Sequence, residues 1–141
     1  MAHQVLKDCF VEINSVDLSD HVTSVTLEYS ADMVEDTTFG DDTHGNRAGL
    51  KNWSISLEMN NDWSAGEVEA TLWPLVGDDT GFSVTVRPDK TAGVGATNPN
   101  YSGTIVVESF PPLAGAVGEL GTASVTLQPH ASSPTLSRAT A

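Results

Sequence analysis

Apolar and polar residues alternate in short bursts along most of this chain, the period-two pattern of strands that bury one face and wet the other. Cys9, Val11 and Ile13 alternate within 8–14, and Asn14-Ser15 supplies turn chemistry before a short Val16-Asp17-Leu18 segment, so the chain opens as a hairpin. A second strand runs from His21 to Tyr29, with Val25, Leu27 and Tyr29 on one side and Thr26 and Glu28 on the other, and Val22 out of phase as in a bulge. The clearest alternation follows later: Trp53, Ile55, Leu57 and Met59 against Asn52, Ser54, Ser56 and Glu58. Phe82, Val84 and Val86 mark another strand. Ile105 and Val107 oppose Val106 and Glu108 in a further one, and Ala123, Val125 and Leu127 belong to the last.

Three stretches break the alternation. Residues 30–50, SADMVEDTTFGDDTHGNRAGL, fit neither a helical nor a strand period and read as a long loop, whose length suggests function or ordering by a partner. Ser64-Ala65-Gly66-Glu67 has the form of a capping box, and Val68, Leu72, Leu75 and Val76 recur at helical spacing. These predict a helix over about 64–76, limited by Pro74 and Gly77 and running about three turns, with Trp73 beside the apolar stripe. From about 129 to 141 the polar, proline-bearing end reads as a mobile tail. The expected architecture is mainly β: a single domain over 1–141, a β-sandwich or flattened barrel of about six or seven antiparallel strands with one flanking α-helix.

The composition narrows what such a domain does. With 39% hydrophobic but only 6% aromatic residues in 141, the core is thin, and partners that cover more surface would add stability. Nineteen acidic against six basic residues give a formal charge of −13, which argues against docking on nucleic acid or anionic lipid and supplies repulsion of phosphate instead. Cys9 is the single cysteine, so no intrachain disulfide forms, and its alternating context reads as a buried thiol. Met1-Ala2-His3-Gln4 starts without a basic cluster and apolar run, and no apolar stretch has membrane length. The expectation is synthesis in the cytoplasm, with neither secretion nor a membrane span.

No pattern of catalytic residues emerges, and no catalytic, cofactor or metal residues are predicted. His44 with Asp41, Asp42 and Arg47 is the densest polar cluster, but a calcium loop needs oxygens at alternate positions closed by a glutamate, which is missing there. His3, His21 and His130 lack zinc-site spacing and read as surface histidines. Asp8 and Glu12 oppose a thiolate at Cys9. Gly115, Gly118 and Gly121 precede a strand, not the helix a phosphate loop requires. What remains is the polar side of the sheet, where Glu28, Glu58 and Glu108 each occupy the outward phase of their strand among serines and threonines.

The stretch DLSDHVTSVTLEYSADMVEDTTFGDDTHGNRAGLKNWSISLEMNNDWSAGEVEATLWPLVG resembles the major tail tube proteins of long-tailed bacteriophages. The likeness runs on through FSVTVRPDK, NPNYSGTIVVESF and ASVTLQPHASSPTLSRATA. It implies a structural virion protein rather than an enzyme, six subunits to a ring, and rings stacked into a hollow tube through which the genome passes. It also implies that the long loop after the second strand reaches a neighbouring subunit, which makes Met33, Val34, Phe39 and Arg47 candidate contacts. The wet face would line the bore, with Glu28, Glu58 and Glu108 as candidate lumen residues that keep DNA from adhering. Partners would be further copies of the chain and other tail proteins, with DNA passing transiently, no membrane and no cofactor. Two other readings compete: a head decoration or other virion protein, and a carbohydrate-binding β-sandwich module using Trp53, Trp63 or Trp73, of which Trp53 and Trp73 are expected in the core.

Overall fold

A computed structural model describes residues 3–140. The chain forms β1 (Phe10–Ile13), β2 (Val16–Asp17), β3 (Val22–Glu35), β4 (Asn46–Asn60), α1 (Val68–Leu72) with a 3-10 turn (Trp73–Leu75), β5 (Phe82–Arg87), β6 (Asn100–Ser109), β7 (Thr122–Pro129) and β8 (Ser137–Ala139). The expected mainly β architecture with one flanking helix is present. Its strands belong to one hydrogen-bonded antiparallel sheet, ordered β2-β1-β5-β6-β7-β4-β3 with β8 paired to β6, and the sheet is not closed into a barrel.

Side-chain phase is continuous across the strands, which is what gives the sheet a dry face. Leu27 pairs with Ile55 and Ile55 with Leu127; Leu127 pairs with Val107, Phe82 with Ile105, and Val11 with Val86. Ile13, Leu18, Ile55, Leu57, Met59, Leu72, Ile105 and Leu127 are fully buried. The sheet bends over this core so that Val25, Leu27 and Tyr29 of β3 line a cavity of about 390 Å³ together with Val86 of β5 and Tyr101 of β6. Asn14 and Ser15, both at positive φ (51° and 67°), make the two-residue turn that joins β1 to β2, as the turn chemistry predicts.

Four sequence expectations change. Residues 30–50 are not a structureless loop, because β3 and β4 extend through both ends of that segment as a paired ribbon. The helix is shorter than 64–76. Gly66 takes φ +78° and Glu67 is extended, so helical geometry begins only at Val68, and no side chain caps it. Trp73, expected in the core, is 60% exposed, because the 3-10 turn after Leu72 rotates it off the buried stripe. The end of the chain is tied down rather than free: Leu136 packs against the core, β8 pairs with 100–102 of β6, and the Trp53 indole N–H donates to the Pro134 carbonyl at 2.8 Å.

That last contact depends on a glycine. A Cβ on Gly103 would lie 2.6 Å from Cζ2 and 2.7 Å from Cη2 of Trp53, so the indole fits against β6 only because residue 103 has no side chain.

Candidate functional site

Two surfaces stand out, and both follow from how β3 and β4 are built. The first is the wet face of the sheet. In β3, β4, β7 and β6 the phase opposite the core holds Ser24, Thr26 and Glu28; Ser54, Ser56 and Glu58; Ser124, Thr126 and Gln128; and Thr104, Val106 and Glu108. Register makes them neighbours: Glu28 faces Ser54, and Glu58 lies between Ser24 and Ser124. Gln128 Nε2 donates to Glu108 Oε2 at 3.1 Å. All three glutamates are exposed, as their outward phase predicted, and no lysine or arginine shares this part of the face. Short hydroxyl side chains keep the surface flat, and the only formal charge on it is negative.

The second surface is the ribbon that β3 and β4 form beyond the sheet. β7 pairs with β4 only from Ile55 to Asn60, so residues 30–35 and 46–51 have each other and no further strand. The turn over 36–45 is closed by the Asp36 N–H donating to the Gly45 carbonyl at 3.0 Å, the Gly45 N–H to Thr37 Oγ1 at 3.0 Å and the Thr38 N–H to Asp41 Oδ2 at 2.8 Å. Arg47 Nε donates to Asp36 Oδ2 at 2.7 Å, and His44 Nδ1 bonds Glu35 Oε1. The polar cluster of Asp41, His44 and Arg47 is thus turn scaffolding, and Asp42 is exposed beside it. Met33, Val34 and Leu50 are exposed on the ribbon, and Phe39 at its tip is entirely open to solvent. The four residues singled out for contacts, Met33, Val34, Phe39 and Arg47, are therefore carried on one projecting hairpin and are all accessible.

Elsewhere the structure redistributes the sequence candidates. Cys9, expected as a buried thiol, is only partly buried; that burial pushes the thiol above its ordinary value, and Asp8 and Asp89 push it the same way, so the sulfur is held neutral. His130 is not a surface residue. It is buried, with Nδ1 bonded to Ser132 Oγ at 2.6 Å and Nε2 to the Asp79 carbonyl at 2.7 Å, because the end of the chain folds back over the Asp78–Gly81 turn. Trp63 is about half exposed, but its indole N–H donates to the Pro112 carbonyl at 3.1 Å and its ring lies against Gly121, so it pins the 110–121 loop. His21 is also withdrawn from the surface, its side chain 15% exposed, and its Nε2 lies 2.7 Å from Glu67 Oε2. Glu67, expected to reach back to Ser64 as half of a capping box, is thereby used elsewhere. No spacing rule links residues 46 apart, so this pair left no trace in the sequence pattern. No helix among the described residues is long and apolar enough to cross a membrane.

Solved structures share this arrangement. A chain of the virion of a native gene transfer agent particle superposes with a TM-score of 0.70 at 15% identity, over 96% of this chain and 98% of that one. This chain has that fold. A chain of the empty gene transfer agent particle's tail, refined with C6 symmetry, gives 0.65 at 16% identity over 96% and 98% of the two chains. A chain from the structure of the sheath/tube terminator of the extracellular contractile injection system PVC, in its extended state, gives 0.68 at 13% identity over 98% and 97%. No protein-family model matches the sequence, and no curated protein shows a significant match.

Proposed function

We propose that the chain is a tail tube subunit that assembles into six-membered rings, stacked into a hollow conduit for DNA. The observation that carries this reading is the near full-length match to chains of tail and tube assemblies, one of them in a tail of C6 symmetry. The hairpin supports it. Apolar residues on a two-stranded ribbon with no sheet behind it have no use inside the subunit and suit a neighbouring copy. Met33, Val34, Phe39 and Arg47 make that contact. Ring closure also removes the open edges of the sheet.

The wet face then lines the bore. Glu28, Glu58 and Glu108 repel phosphate there, and the short hydroxyl residues around them offer no cation to hold DNA. Other tail proteins cap the tube and join it to the rest of a virion, and the protein acts structurally, without catalysis. The likeness to a chain from a sheath/tube terminator structure supports one second reading, a subunit that forms a single closing ring rather than a filament.

Electron microscopy of the purified chain tests both. The tube reading expects hollow filaments of uniform width, and the terminator reading expects single rings. Compact trimers that attach to empty heads would instead indicate a decoration protein. A variant in which residues 33–48 are replaced by a two-residue turn should keep the circular dichroism of the parent and form no filaments. Filaments from that variant would refute the role of the hairpin.

A further inference from the structure

Where β3 begins, one imidazole is surrounded by carboxylates. His21 Nε2 lies 2.7 Å from Glu67 Oε2, 3.6 Å from Asp20 Oδ1 and 4.0 Å from Asp62 Oδ2. One ligand atom each from His21, Asp62 and Glu67 falls within 4.8 Å of the other two. We propose that His21, Asp62 and Glu67, with Asp20 at the rim, form a binding site for a divalent transition-metal cation of the zinc class.

The geometry is close to what such an ion needs. Bonds of about 2.0–2.2 Å in tetrahedral coordination hold neighbouring donor atoms roughly 3.4 Å apart. The distances from His21 Nε2 to the carboxylate oxygens, 2.7 to 4.0 Å, bracket that value.

The donors are braced from outside. Asp62 Oδ1 takes the Ser64 N–H at 2.9 Å, which leaves Oδ2 turned toward His21. The Asp62 carbonyl takes the Glu69 N–H at 3.1 Å, and the His21 carbonyl takes the Asn60 N–H at 2.8 Å. His21 is mostly buried while the Asp62 and Glu67 carboxylates are about one third open, so an ion can reach the site from solvent.

Charge favours a cation over a proton. Among the described residues the ion pairs of His21 are all with carboxylates, three of them. A protonated imidazole cancels one of the three negative charges, whereas a dication on neutral imidazole cancels two. The mixed nitrogen and oxygen donors select zinc-class ions over calcium or magnesium, which take oxygen alone. The ion would staple the start of β3 to the segment that leads into α1.

Zinc titration of the full-length free subunit tests this, by calorimetry together with NMR of the histidine ring nitrogens. The expected result is saturable binding of one ion per chain, with the His21 signals moving and the thermal midpoint rising with zinc concentration. His21→Gln and Glu67→Gln should each weaken binding by about tenfold or more. If His21→Gln does not fold, Glu67→Gln and Asp62→Asn give the same reading from the exposed side. Absence of saturable binding at millimolar zinc, unchanged affinity in the variants, or shifts confined to His44 would overturn the proposal. The measurement needs no assembled tube, so its outcome is separate from that of the functional reading.

Discussion

Replacing Gly103 by alanine should break the latch that holds the end of the chain to the sheet. The added Cβ would sit 2.6 and 2.7 Å from two carbons of the Trp53 ring, about 1 Å inside ordinary carbon–carbon contact. Trp53 is only 2% exposed and cannot swing aside without losing its hydrogen bond to the Pro134 carbonyl. Overpacking of this kind costs about 1–3 kcal/mol and the hydrogen bond about 1 more, so Gly103→Ala should lose roughly 2–4 kcal/mol. At about 4 °C per kcal/mol, that is a fall of roughly 8–16 °C in the melting midpoint. The phenyl ring of Trp53→Phe ends short of the two crowded carbons. In that background the Gly103→Ala cost should shrink below about 1 kcal/mol, a coupling of the size expected for groups in contact. Denaturant titration of the four proteins by far-ultraviolet circular dichroism gives the cycle, and hydrogen exchange at 137–139 should be faster in Gly103→Ala than in the parent. A Gly103→Ala loss under about 0.5 kcal/mol, or the same loss in both backgrounds, would refute the reasoning.

Two further outcomes follow from charge. Lysine at positions 28, 58 and 108 together should leave the melting midpoint near that of the parent, since exposed substitutions each stay within about 0.5 kcal/mol, yet should make assembled material retain duplex DNA at low salt. Filter retention reads this, and an unchanged pass-through would remove the electrostatic role assigned to the wet face. Burial disfavours the charge on Asp17, but hydrogen bonds from Ser19 and the Lys90 ammonium at 2.9 Å outweigh it and hold the carboxyl below its ordinary 3.8. A carboxyl lowered on folding stabilises fully above its unfolded value and loses that contribution as pH falls through the folded one. Asp17→Asn should therefore cost less than about 1 kcal/mol at neutral pH, given how open the pair is, and flatten the decline of stability below about pH 4. Superimposable stability–pH curves for the two proteins would contradict it.

The strands that could be read from sequence are those with one dry side. Trp53, Ile55, Leu57 and Met59 alternate because each is buried and its neighbours are not, and the same selection acts on Val84, Ile105 and Val125. It also placed Glu28, Glu58 and Glu108 on a common outer face. The outer halves of β3 and β4 escaped notice because residues 30–50 are exposed on both sides, and nothing there enforces a period. The ribbon exists because two buried strands arrive in register and continue pairing. Other misses come from contacts between distant residues. Trp53 meets Pro134 across 81 positions, His130 meets Asp79 across 51, and Glu67 meets His21 across 46. Local propensity predicted a capped helix, a surface histidine and a free tail, and in each case a long-range partner decided otherwise.

On the proposed reading, the energetics of the hairpin explain why assembly would proceed by rings. A two-stranded ribbon without a third strand is marginal alone. Its four exposed apolar side chains, Met33, Val34, Phe39 and Leu50, would each gain about 1.5–3 kcal/mol on burial, roughly 6–12 in total. Association costs about 4–15 kcal/mol in lost rigid-body freedom, so a single hairpin contact in an open pair roughly breaks even. Mutual repulsion between copies of charge −13 weakens the open pair further. A subunit that closes a ring makes a contact on each side while losing its freedom once, which doubles the gain against the same cost. On that reading an open pair gains little, and it is ring closure, more than the strength of any one contact, that would hold the assembly together.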